Sequence, residues 1–147
     1  MPAEFDRDLT SVREELEAAR RELLPVVGAL SDADLDHARR GGWAVRRVLE
    51  HVIESEWLYA RLVAHLRGVP VPGDVVSGGP SSAEDAAQRL DASRRALLAA
   101  LDGVDEASFY RLSVVGHEEY SIISVLENTA NHDREHAAQV QAILAAG

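Results

Sequence analysis

Near its C-terminus the chain reads ENTANHDREHAAQVQAIL, which sets His132 and His136 four residues apart. Four residues is about one helical turn, so both imidazoles leave the same face of a helix. Such a pair has two readings: ligands to one metal ion, or buried histidines bonded to a carbonyl or carboxylate of the core. The surrounding stripe sharpens the choice. Ile122, Val125, Thr129, His132, His136, Gln139 and Ile143 recur at spacings of three and four, and four successive polar positions interrupt the apolar face. A buried polar group without a partner costs about 1–3 kcal/mol, so something must satisfy them.

A matching anomaly lies upstream. In VLEHVIESEW, His51 sits between the apolar positions Val48 and Val52, with Ser55 one turn further on. Three histidines from two helices can therefore converge in one bundle. Three neutral imidazoles form a metal-ligand set that leaves coordination positions open for water or substrate. HDREH has no Glu directly after its first His, so a zincin-type protease is a poor reading. His65 falls near the face of His51 but about 21 Å along the helix, too far for a fourth ligand. His37 and His117 lie in connecting segments. Glu54, Asp133 and Glu135 are candidates to orient the imidazoles, while Ser55, Tyr59, Thr129 and Gln139 are candidates to line a pocket beside them. Against these stand plainer readings: helical acids are usually solvated, and Trp57 and Tyr59 suit core or interface packing.

The elements that must carry these residues are helical. Phe5, Leu9, Val12, Leu16, Ala19, Leu23, Val26 and Leu30 mark a first amphipathic helix, with a bend expected near Pro25. LSDADLD follows as a short turn of helix opened by Ser31, and RRGGW breaks it. A second helix is predicted from about Ala44 to Leu66, with Val45, Val48, Val52, Ser55, Leu58, Tyr59, Leu62 and Leu66 on or beside its inner face. RGVPVPGDVVSGGP then makes a long connection. Ser81 and Glu84 have capping-box spacing at the start of a third helix, whose stripe is Ala83, Ala86, Leu90, Leu97 and Leu101 and which ends at Gly103. RLSVV reads as extended, and the last helix starts near Ser121. Four helices with one apolar stripe each satisfy one another as an all-α four-helix bundle with long inter-helix connections.

At 147 residues the chain is the length of one domain, residues 1–147, with a 46% hydrophobic share that suits a folded core. A net charge of −10 argues against a nucleic-acid backbone as partner. The basic cluster Arg39, Arg40, Arg46 and Arg47 reads as a solvated helix entrance, or alternatively as a patch that steers an anionic small molecule. There is no cysteine, so thiol chemistry would need an external thiol. No apolar run suits a membrane span and the acidic N-terminus is unlike a secretory signal, so a cytoplasmic setting without membrane contact is expected.

Taken together, LSDADLD, GGWAVRRVLEHVIESEWLYARLV and EEYSIISVLENTANHDREHAAQVQAIL resemble the DinB family, the DinB/YfiT-like four-helix bundle proteins, over nearly the whole chain. The family pattern has a Trp entering the second helix, a His about two turns later, and His-x-x-x-His with a nearby Gln in the last helix; here these are Trp43, His51, His132, His136 and Gln139. The resemblance implies that His51, His132 and His136 bind a divalent metal (zinc, nickel or iron) and that the protein is a homodimer. Some relatives are metal-dependent transferases or isomerases that use a low-molecular-weight thiol such as mycothiol, bacillithiol or glutathione, and many others have no known activity, so the resemblance points to a thiol-dependent transferase acting on an electrophile, or to an isomerase. Ala44 departs from the family's frequent Ser or Thr after the Trp, and Asn128 stands where some relatives carry another polar residue or His. Neither touches the three histidines, though both weaken any inference about substrate. Two alternatives remain: a metal-binding bundle without turnover, and a metal-free dimeric interaction protein.

Overall fold

The computed structural model describes residues 2–73, 75 and 77–146, with only the backbone of Pro2. Five helices and one hairpin follow in order: α1 (Pro2–Gly28), α2 (Val45–Arg67), α3 (Ala83–Leu101), α4 (Glu106–Tyr110), β1 (Ser113–Val115), β2 (Glu118–Tyr120) and α5 (Ile122–Ala145), with a 3-10 turn at Ala33–Asp36. The four long helices make the bundle. α1 packs on α5, α5 on α2, α2 on α3, and α3 closes the ring against α1. α2 and α5, which carry the three histidines, are therefore neighbours.

α1 buries Val12, Leu16, Ala19, Leu23 and Val27. The stripe runs through Val27 rather than the expected Val26, and the helix continues past Pro25 to Gly28. A larger difference concerns α2. Leu58 is 59% exposed, whereas Leu49, Ile53, Trp57, Ala60 and Val63 are buried. Because α2 lies between α3 and α5, its buried arc is wider than one stripe. Gly68 ends it in the left-handed conformation, at φ 70°.

Ser82, not Ser81, caps α3: its hydroxyl accepts from the Asp85 N–H at 3.0 Å. Asp85 accepts from the Ser81 N–H at 2.9 Å and not from that of Ser82, so a single-sided cap replaces the expected capping box of Ser81 and Glu84. The extended segment is real but belongs to a hairpin, with Ser113 opposite Tyr120 and Val115 opposite Glu118. Ser121 caps α5 through a reciprocal pairing with Ser124. Of the predicted connection between α2 and α3, Asp74 and Val76 lie outside the described residues. No helix among the described residues is long and apolar enough to cross a membrane.

Candidate metal centre

His51 comes from the second turn of α2, and His132 and His136 from the middle of α5, on the seam those two helices share. His132 Nε2 lies 3.1 Å from His51 Nε2 and 2.9 Å from His136 Nε2. The rings meet edge to face, with centroids 4.2–5.0 Å apart. All three ligand nitrogens fall within 4.8 Å of one another.

The donor set fits a cation better than it fits itself. His136 Nδ1 donates to Gln139 Oε1 at 2.5 Å, which leaves the Nε2 of a neutral His136 as a bare lone pair facing the other two rings. A single Nε2–H on His132 cannot be aimed well at both neighbours. One ion accepts all three lone pairs, and two imidazole nitrogens about 2.0 Å from a tetrahedral ion would be about 3.3 Å apart, close to the spacing found here.

The electrostatics keep those lone pairs free. Burial pushes the His132 imidazole down to about 4, helped by the neighbouring His136 and His51. Burial also lowers His51, with His136 and Arg47 adding to the effect. At neutral pH both rings are uncharged, the state a metal ligand requires.

One side of the cluster is open. Trp43, His51, Glu135, His136 and Gln139 surround a hollow of about 530 Å³. Trp43 is 44% exposed, meets His51 edge to face at 5.4 Å between ring centroids, and carries the Arg47 guanidinium 4.8 Å over its own ring. Arg47 is also paired with Glu50 at 2.5 Å, and Arg46 with Asp36 at 3.2 Å. On the other flank the Tyr59 ring lies 6.1 Å from that of His132. Burial raises its hydroxyl, which therefore keeps its proton at neutral pH.

The remaining candidates separate. Gln139 contacts the triad and Glu135 lines its mouth. Thr129 donates to its own helix, to Val125 O at 2.7 Å, so its polarity is satisfied locally. Glu54 lies beside a different hollow with Trp57, Leu58 and Arg61. Ser55 is half-buried and makes no hydrogen bond to the imidazoles. Asp133, expected to orient an imidazole, is turned into the bundle and held by Arg20 and Arg94. It is adjacent to His132 in sequence, and one residue turns the side chain about 100° around the helix.

A four-helix bundle with three convergent imidazoles on one seam is the class that fold and site define. The sequence profile of the DinB superfamily matches residues 15–140, and the chain belongs to that superfamily. Among solved structures, TT2238, a four-helix bundle protein, is 25% identical with a TM-score of 0.69, covering 90% of this chain and 96% of its own. A DinB-like protein from Bacillus cereus ATCC 10987 is 20% identical with a TM-score of 0.68, covering 93% of this chain and 88% of its own. No curated protein matches the chain.

Proposed function

We propose that the chain is a metal-dependent enzyme that binds a divalent transition ion (zinc, nickel or iron) through His51, His132 and His136 and transfers a low-molecular-weight thiol to an electrophile. The observation that carries the reading is the convergence of three imidazoles, with His132 Nε2 2.9 Å from His136 Nε2 and 3.1 Å from His51 Nε2 and all three ligand nitrogens within 4.8 Å, beside an open hollow. When bound, such an ion would supply Lewis acidity, holding a thiol with a free pKa of about 8.5 as its thiolate near neutral pH.

The chain's own groups prepare that chemistry. Gln139 fixes the His136 tautomer, and Trp43 supplies an apolar wall at the mouth while Glu135 supplies a carboxylate. Tyr59 offers a protonated hydroxyl on the opposite flank. With no cysteine in the chain, the sulfur comes from outside. A cytoplasmic homodimer is part of the same proposal and rests on the family resemblance.

The first test is elemental analysis of untagged protein beside His51→Ala, with folding checked by circular dichroism. The expected outcome is about one transition metal per chain in the parent and less than about one tenth of that in a folded variant. No metal in the parent, even after reconstitution with zinc, nickel and iron, would overturn the reading. A bound metal whose cobalt substitute does not respond spectroscopically to added thiol would instead mark a site without turnover.

A further inference from the structure

The bundle axis holds a second polar centre. Arg20 of α1, Glu56 of α2, Arg94 of α3 and Asp133 of α5 are all buried. Arg20 reaches Glu56 Oε1 at 2.8 Å and Asp133 Oδ2 at 2.9 Å. Arg94 reaches Glu56 Oε2 at 2.6 Å and Asp133 Oδ2 at 2.8 Å. Each guanidinium turns its Nη1 to a backbone carbonyl, Arg20 to Leu90 O and Arg94 to Leu16 O, both at 2.8 Å. Ser93 Oγ adds a contact to Glu56 Oε1 at 2.5 Å. Among the described residues no buried side-chain nitrogen or oxygen lacks a partner.

The distribution over the helices is the informative part. Both carboxylates stand on the helices that carry the histidines, and both arginines on the other two. Two carboxylates cannot hold α2 to α5 directly, since like charges repel. Each guanidinium touches both, so the arginines join α2 to α5 through the centre of the ring. Glu56 is five residues beyond His51, about 7.5 Å of helical rise, and Asp133 adjoins His132.

Apolar packing alone would fix that register weakly. The buried positions of α2, among them Val45, Val48, Leu49, Val52 and Ile53, repeat at spacings of three and four. A slip of one turn would exchange one aliphatic side chain for another, and hydrophobic burial is not directional. The same slip would carry His51 about 5.4 Å away from its partners. A planar guanidinium fork facing a carboxylate does not tolerate such a shift. Setting register is also the best-attested use of buried polar groups.

We infer that Arg20, Glu56, Arg94 and Asp133 are positioning residues, a clamp that fixes the register of α2 against α5 and so delivers His51 to His132 and His136. The consequence for metal rests on the proposed metal site, whereas the register can be measured without metal. The natural absence of cysteine makes this direct, because Cys introduced by Arg61→Cys on α2 and Asn128→Cys on α5 would be the only labelling sites.

The test compares the doubly spin-labelled parent with a variant that also carries Arg20→Met, Glu56→Leu, Arg94→Met and Asp133→Leu, since buried ion networks are often replaced by apolar residues without loss of stability. Circular dichroism and thermal melting report the fold, pulsed dipolar spectroscopy the distance between labels, and chelator competition the zinc affinity. The expected result is a folded variant whose distance distribution broadens or moves by about 5 Å, with zinc affinity down about 10–100-fold. Arg134→Gln, which breaks surface pairs from α5 to Glu15 and Glu22 of α1, should change neither readout. A folded variant with the parent's distances and affinity would overturn the clamp. If the fourfold variant does not fold, Glu56→Asp keeps the charge and withdraws it by one methylene; unchanged distances and affinity there would overturn the clamp equally. A parent that binds no zinc while its label distance still depends on the four residues would sink the metal reading and leave the clamp standing.

Discussion

The bundle contains two polar interruptions, and they are built on opposite principles. In the axial cluster every guanidinium nitrogen has an acceptor, either a carboxylate oxygen or a backbone carbonyl. Burial works against the Arg20 charge, yet Glu56 and Asp133 outweigh it and hold its pKa above the usual value. In the histidine cluster the facing partners are alike, three imidazole nitrogens whose surroundings keep two of the rings uncharged. A complete set of complementary partners holds a fold together; a set of matching lone pairs beside an open hollow is complementary to something that the chain does not supply.

The largest test of that contrast is Arg94→Met. It strips Glu56 Oε2 of its partner and leaves the cluster one positive charge short. Breaking a buried pair in this way costs about 3–5 kcal/mol, which urea denaturation at neutral pH would register as a large loss. A cost below about 1 kcal/mol would place the cluster with ordinary surface pairs.

The pH dependence separates the two centres further. His132 has an ordinary value of 6.5 when unfolded and about 4 when folded. Above 6.5 it is neutral in both states and its contribution is constant. Between 6.5 and 4 the unfolded chain takes a proton that the folded chain refuses, so stability falls as pH falls. The melting temperature of the metal-free parent should therefore fall relative to that of His132→Gln as the pH is lowered through this window, and the loss of zinc through His132 on equilibrium dialysis should set in only as the pH approaches about 4. Parallel curves would mean that His132 is not held neutral.

The smallest effect is expected at Gln139→Leu. It removes the acceptor at His136 Nδ1 and frees the ring to take the other tautomer. Zinc affinity should fall about 10-fold while the melting curve barely moves. An unchanged affinity would show that the tautomer is set elsewhere.

The sequence exposes the two centres unequally, and the reason is physical. Thr129, His132, His136 and Gln139 stand out because they interrupt a regular apolar stripe, and His51 does the same on α2. Trp43, at the entry to α2, adds a second mark. The axial charges leave no such mark. Arg20, Glu56 and Asp133 are types that usually sit in water, and although each stands at stripe spacing, as Arg20 does between Leu16 and Leu23 while Glu17 and Arg21 do not, a charged side chain there reads as one that reaches solvent. One trace did exist: the α3 stripe skips from Leu90 to Leu97, and Ser93 and Arg94 fill the gap, both buried. Leu58 fails in the opposite sense, an apolar residue at helical spacing that faces solvent because α2 turns its wide buried arc toward α3 and α5. The hairpin shows only its first strand in the sequence, since EEY pairs with SVV by register and not by composition.

The axial cluster also bears on how such a protein can change over generations. A single replacement that removes the charge at any of its four positions strands another in the core, so such changes are tolerated together or hardly at all. The rim is under no such bond: Trp43 and Glu135 lie at the surface, and exchanging them costs the scaffold little. A lineage built this way can alter what enters the hollow while inheriting the three histidines in place.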